Sequence, residues 1–343
     1  MTSRPYSMRD RLISKTLVTA LRRNSSPFVV AGLLLFGSPL GAQAAAARVG
    51  RVPLWGRVAD AKIMQPDRLV VVDERDQRIW LVDGEGRQVA TAGRRGQGPG
   101  EFMLTERLLR MDDSTLGVID RRNARLTRVR VRRDTLFTIG SVSLSPYIED
   151  ACRLGDSLYL GFADVATTSQ VSVARLDGTI TGTLARVPVE GSPLFRETQL
   201  EAAVGCQATP PRIVTATRHT GVVTAWSLDG RVLWRTPLPA FRAVAVEPGE
   251  AGGVRHTWRR DGNSRVLRVL PLRGDTLLVA AMIFWVGPPA DTASIIGSKY
   301  LLDARTGRML FARDAAERVL DVVGDHEAVL TEEPEPLVRI RRR

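Results

Sequence analysis

The chain has 343 residues, 44% of them hydrophobic, which is enough to bury a sizeable core and by length alone would allow two domains. Its formal charge is +12, yet only Lys15, Lys62 and Lys299 among the 49 basic residues are lysines. Such near-exclusive use of arginine fits a GC-rich coding sequence and a solvated basic surface. It argues against a selected nucleic-acid surface and leaves anionic small molecules or polymers as the partners that net charge favours.

The first 44 residues read as a targeting segment. Arg4, Arg9, Arg11, Lys15, Arg22 and Arg23 form a basic leader, Phe28 to Leu40 form a short apolar run, and Ala42-Gln43-Ala44 fits the small-x-small cleavage rule. The run is broken by Gly32, Gly37 and Pro39, whereas a membrane span needs about 20 apolar residues, so no stable span is expected after cleavage. Either Met1 or Met8 can serve as the start. Cleavage after Ala44 leaves 299 residues with a charge near +7, expected to be periplasmic or secreted, in a single domain 45–343. Export removes nucleic acid from the expected partners.

Two segments follow that repeat each other at a spacing of 47 residues: LVVVDERDQRIWLVDGEG from Leu69 and LGVIDRRNARLTRVRVRR from Leu116. Asp73 aligns with Asp120, Asp76 with Asn123, Arg78 with Arg125, Ile79 with Leu126, and Gly93 with Gly140. A fixed period of this length signals units that bury their faces only against neighbours, and short apolar runs split by turn pairs select strands. The first unit divides into strands at Asp60–Met64, Leu69–Val72, Arg78–Val82 and Gln88–Ala92. Asp83-Gly84, Asp177-Gly178, Asp229-Gly230 and Thr306-Gly307 mark hairpins, where positive φ is needed.

Between the two units lies GRRGQGPGEF, Gly93 to Phe102. It lacks the helix that should follow a phosphate-binding loop, and its glycines and proline suit a chain passing from the outer edge of one blade to the centre of the next. Phe102 is then expected to wedge between blades. The aligned Asp73 and Asp120 open the turn between second and third strands, with Asp76 or Asn123 bonding the turn and Arg78 or Arg125 pairing with the carboxylates.

Further units run from Tyr147 to Pro188, Glu201 to Pro239, Arg265 to Ala316, and from Glu317 to the end. Cys152 and Cys206 occupy equivalent positions on successive inner strands. An oxidising compartment permits a disulfide between them. A bond needs Cα atoms within about 7 Å, and inner strands fan apart, so a bridge and a pair of buried thiols both remain open. Unit five carries an apolar, then Pro-rich insertion, Ala281 to Asp291, that places Phe284 and Trp285 near one ring face as candidate loop contacts. Glu247 to His256 reads as a second, Gly-rich loop. The last unit supplies about three strands, and Val49–Val58 is a spare strand expected to complete it and close the ring.

The fold class expected is therefore all-β, a six-bladed β-propeller of four-stranded antiparallel blades. The segment VIDRRNARL from Val118 resembles the core of an NHL-type repeat, and GRRGQGPGEF resembles the loop joining NHL blades. The likeness is to exported bacterial six-bladed propellers, and it covers roughly residues 60 to 140. SLDGRVLW and LLDARTGRML look more like quinoprotein-type blades. The resemblance implies a ring and no single activity.

No catalytic constellation is present in the sequence. His219, His256 and His326 stand apart without metal-ligand spacing, two of them in predicted solvated loops, and no Gly-x-Ser-x-Gly elbow occurs. No cofactor is expected. The inner strands carry Lys62, Arg110, Arg153 and Arg268, which point to a cationic channel and an anionic ligand. The expectation is an exported monomeric binding or interaction protein acting through one face or the channel of the ring, with no catalytic role. The alternative is a lactonase-like hydrolase or lyase with a divalent ion in the channel.

Overall fold

A computed structural model describes residues 58–83, 87–145, 147–164, 166–285, 296–315, 317–331 and 337–342. Blade 1 is the antiparallel sheet β1 (Val58–Gln65), β2 (Arg68–Asp73), β3 (Arg78–Asp83) and β4 (Gln88–Ala92), matching the predicted strands to within two residues. Blade 2 follows as β5 (Thr105–Arg110), β6 (Thr115–Asp120), β7 (Arg125–Arg132) and β8 (Thr135–Ser143). Blade 3 comprises β9 (Asp150–Leu154), β10 (Ser157–Asp164), β11 (Ser169–Arg175) and β12 (Ile180–Arg186). A helix, α1 (Pro193–Leu200), leads to blade 4, built from β13 (Ala202–Gln207), β14 (Arg212–Thr217), β15 (Val222–Trp226) and β16 (Val232–Pro237).

A separate hairpin, β17 (Ala245–Pro248) and β18 (Val254–Thr257), precedes blade 5, which contains β19 (Asn263–Pro271), β20 (Thr276–Phe284), β21 (Ile296–Asp303) and β22 (Met309–Ala315). Blade 6 shows three strands among the described residues, β23 (Glu317–Val323), β24 (His326–Thr331) and β25 (Leu337–Arg342). The closing strand expected at Val49–Val58 lies outside the described residues except for Val58, which begins β1. Inner strands β1, β5, β9, β13, β19 and β23 contact one another in succession, and β23 contacts β1, so the ring is closed at its centre.

Burial explains why the second strands read as unbroken apolar runs. A blade is covered on both faces, so both sides of a middle strand are dry. In β2, Leu69 and Val71 pack with Leu320, Leu330 and Ile340 of blade 6, while Val70 and Val72 pack with Leu108, Leu116 and Val118 of blade 2. All four β2 side chains are fully buried, each contributing about 2 kcal/mol relative to exposure. The outer strand β4 instead alternates between exposed and half-buried positions.

The joint from Gly93 to Phe102 contains no helix. Phe102 is 0% exposed and sits in the apolar cluster shared by blades 1 and 2. Its backbone is tied to the loop start by Phe102 N to Arg94 O at 2.8 Å and Gly96 N to Phe102 O at 2.9 Å. Gly93 has φ +86°, and a Cβ there would lie 2.3 Å from the Phe102 ring, so glycine is required both by conformation and by space. Asn123 Nδ2 donates to Asp120 Oδ2 at 2.7 Å and to Gly96 O at 3.0 Å, while Arg125 reaches the carbonyls of Gln97, Gly98 and Glu101. The second repeat thus clasps the loop that delivers the chain to it. Gly140 does not correspond to Gly93 in space: it lies inside β8 opposite Arg128, because the β7–β8 hairpin is longer than β3–β4.

Two further segments depart from the sequence reading. Pro188 to Glu201 contains α1, started by Ser192, whose Oγ accepts from Phe195 N at 3.3 Å, with Pro193 pre-set for the first turn. Glu247 to His256 is the hairpin β17–β18 rather than an open loop, and it packs against α1. Their stability comes from each other, which local sequence does not display.

Candidate functional site

Four side chains from four inner strands meet in the channel. Arg268 on β19 places Nη2 2.5 Å from Asp60 Oδ1 and Nη1 3.7 Å from Asp150 Oδ1, while Arg107 Nε lies 3.8 Å from the same Asp150 oxygen. With β5 supplying Arg107, blades 1, 2, 3 and 5 are joined. The carboxylates are further held by backbone amides: Asp60 Oδ2 accepts from Leu108 N at 2.7 Å, and Asp150 Oδ2 from Val204 N at 3.1 Å. Burial, reinforced by the neighbouring Arg268 charge, pulls the Arg107 pKa down to about 9, which still leaves it protonated at neutral pH. This ionic layer separates two cavities.

The first cavity, about 270 Å³, is lined by the ends of the inner strands and includes all four predicted channel residues, Lys62, Arg110, Arg153 and Arg268. Each of them already has partners. Lys62 Nζ pairs with Asp321 Oδ1 at 3.2 Å, Arg110 reaches Ile63 O and lies 3.7 Å from Asp321 Oδ2, and Arg153 bonds Gly155 O at 2.8 Å and Met111 O. Asp321 Oδ2 also accepts from Ile63 N at 2.9 Å, stitching blade 6 to blade 1. Cys152 and Cys206 form a disulfide in this wall, with Cα atoms 5.5 Å apart, so the inner strands of blades 3 and 4 stay close enough at that level.

A divalent ion does not fit this donor set. Asp60, Asp150 and Asp321 each have a cationic partner and a backbone amide from the next blade. Calcium needs six to eight convergent oxygens. Among the described residues no group of three or more His, Cys, Asp or Glu is placed to hold a metal.

The second cavity, about 240 Å³, opens on the opposite side of the ionic layer, between the starts of the inner strands and the loops joining second to third strands. Its polar wall includes Glu106, Arg107, Arg121, Glu149, Arg218 and Arg265, and its apolar wall Val58, Leu267 and Met282. Arg121 lies 3.0 Å from Glu106 and 3.5 Å from Glu149. Burial works against the Arg121 charge, but these two carboxylates outweigh it and hold its pKa above the ordinary value. Arg218 Nε lies 2.9 Å from Glu149 Oε2 and Nη1 donates to Val266 O at 3.1 Å, yet its buried Nη2 has no hydrogen-bond partner among the described residues. The Arg218 side chain is only 2% exposed.

Glu201 continues the wall outward, 3.4 Å from Arg265 Nη2 and 3.2 Å from His219 Nε2. Burial raises the Glu201 pKa, but the His219 hydrogen bond and the Arg265 charge together bring it below the usual carboxylate value. His219 is therefore a mostly buried member of this network rather than a solvated loop residue, its side chain 13% exposed. From it runs a row of rings: His219 to His256 at 5.8 Å, His256 stacked on Trp258 at 5.4 Å, and Trp258 edge-on to Phe284 at 5.9 Å. The predicted contact Phe284 thus belongs to an aromatic shelf on the same face as the second cavity. Trp285 is half-buried and abuts Gly262, where a Cβ would lie 3.2 Å from its ring.

Sequence reasoning missed Glu106, Glu149, Arg218 and Glu201 because they come from three blades and carry no common spacing. The one available signal was position: Glu106, Glu149 and Glu201 each stand at or just before the start of an inner strand.

No protein-family model matches the chain, and no curated protein sequence matches it. Solved structures do match. A protein described as exported from Bacteroides fragilis aligns with TM-score 0.51 and 11% identity over 81% of this chain and 79% of its own. A member of the DUF4221 family from Bacteroides vulgatus aligns with TM-score 0.53 and 10% identity, covering 84% and 93%. A protein of unknown function from Bacteroides thetaiotaomicron gives TM-score 0.51 and 10% identity over 87% and 74%. At this identity the likeness is one of fold, and the fold is a six-bladed β-propeller.

Proposed function

We propose that the chain is an exported, non-catalytic binding protein that holds an anionic ligand in the second cavity. The carrying observation is the cationic excess in the wall of an open cavity of about 240 Å³. The wall holds five arginines against three glutamates, so its net sign favours an anion. The cations of the first cavity are engaged by Asp321, Asp60, Asp150 and main-chain carbonyls, which makes that cavity the weaker candidate.

Export rests on the leader sequence. Among the described residues no helix is long and apolar enough to cross a membrane. The NHL-type assignment rests on the motifs at Val118 and Gly93 alone.

Isothermal titration with citrate and trigalacturonate tests this reading. We expect measurable binding by the intact protein and at least tenfold weaker binding by Arg265→Gln, a half-exposed position at which folding should persist, checked by circular dichroism. Equal affinity in that variant, or no binding of either anion, overturns the reading. A calcium and EDTA thermal-shift series addresses the metal-dependent alternative, and a large calcium-dependent stabilisation would count against a non-catalytic anion site.

A further inference from the structure

We propose that the ligand of the second cavity is an acidic oligosaccharide, its carboxylate and hydroxyls held in the Arg–Glu mouth and a following sugar ring laid on the aromatic shelf at Trp258. This deepens the anion-binding reading and rests on it. A simple anion uses only donors. A sugar hydroxyl both donates and accepts, so it needs carboxylates and guanidinium groups side by side. The mouth offers that mixture: Glu106 and Glu149 as acceptors, interleaved with Arg121, Arg218 and Arg265 as donors, within one wall.

The second, independent observation is the shelf. Trp258 is 41% exposed, so part of a large apolar ring faces water. It is also held rigidly. One face stacks on His256, its neighbour Phe284 meets it edge-on, and the adjacent residue Arg259 is pinned by buried Asn263, which accepts from Arg259 N at 2.9 Å and donates to Arg259 O at 3.2 Å. An ordered, solvent-facing indole is a platform that loses little entropy on binding a flat apolar surface, such as the C–H face of a pyranose.

The two parts are continuous. Arg265 pairs with Met282 across β19 and β20, and Asn263 with Phe284, so the mouth and the shelf use alternate positions of one ladder. On the other side, Arg265, Glu201, His219, His256 and Trp258 form an unbroken line of contacts from cavity to shelf.

The test uses the intact protein with four probes, trigalacturonate, maltotriose, tricarballylate and 4-hydroxybenzoate, read by titration calorimetry and tryptophan fluorescence. The expected pattern is that trigalacturonate binds most tightly, maltotriose binds at least tenfold more weakly, and Trp258→Ala weakens trigalacturonate about tenfold while leaving tricarballylate unchanged. Trp258 is exposed, so this variant should fold, and Trp258→Phe should recover part of the loss. If tricarballylate or 4-hydroxybenzoate binds as tightly as trigalacturonate and Trp258→Ala changes nothing, the sugar assignment fails while anion binding stands. If maltotriose equals trigalacturonate, or no probe binds, the anion reading itself falls and this inference with it.

Discussion

Arg268 Nη2 lies 2.5 Å from Asp60 Oδ1, joining inner strands that are more than 200 residues apart in sequence, and both side chains are at least 95% buried. A pair of this kind costs desolvation on both partners and is strongly destabilising only when one partner is removed. We expect Arg268→Met to lose about 3–5 kcal/mol in urea unfolding, because Asp60 is then left charged and buried beside Asp150. The double variant with Asp60→Asn should recover part of that loss; additive losses would mean that the two groups do not interact.

Phe102 gives a separate test of the blade joint. Phe102→Ala should cost about 3–5 kcal/mol, since the ring is fully enclosed by residues of both blades. Gly93→Ala should also destabilise, through φ +86° and the collision with that ring, and should be less harmful in a Phe102→Ala background, where the collision is relieved. The thermal midpoints of the three variants decide it.

The bridge between Cys152 and Cys206 closes a loop with a sequence separation of 54. Loss of such a constraint from the unfolded chain is worth about 4 kcal/mol on the loop-entropy estimate. Reduction with dithiothreitol, or replacement of both residues by serine, should therefore lower the unfolding midpoint. A midpoint that ignores reductant in protein purified from an oxidising compartment would show that the bridge is not formed there.

The pH response of the second cavity follows from Glu201, whose folded pKa lies below its unfolded value once the His219 and Arg265 interactions outweigh burial. A depressed carboxylate contributes stability above its unfolded pKa and loses it as pH falls through the folded pKa. Stability should accordingly fall below about pH 4.5. Glu201→Gln should be less stable at pH 7 and show a shallower acid limb; an unchanged limb by chemical denaturation at stepped pH would remove Glu201 from the network.

The blade architecture was legible because its signals are short-range. The runs Leu69–Val72 and Leu116–Ile119 each sit within about a dozen positions of their own turn residues, and the 47-residue repeat shows that the same unit recurs. Two local departures escaped this reading. Gly140 fell out of register because β7 and β8 are longer than their blade 1 counterparts, and α1 with the β17–β18 hairpin gains its stability from mutual packing between non-repeating segments.

The candidate site was legible only in part. Lys62, Arg110, Arg153 and Arg268 do line one cavity, as their places on inner strands implied, but the sequence could not reveal that Asp321, Asp60, Asp150 and main-chain carbonyls engage them. Nor did anything near His219 announce Glu201 or His256. By itself the sequence determined the strand period, the turn positions and hence a ring of blades, since alternation, glycine placement and repeat spacing are written locally. The tertiary structure alone decided which charges face one another, because closing the ring brings together inner strands separated by up to about 260 residues, and electrostatic pairing depends on that distance in space. That closure divides the channel into a first cavity whose arginines and lysine are paired with carboxylates and main-chain carbonyls and a second whose wall carries an excess of arginine over glutamate.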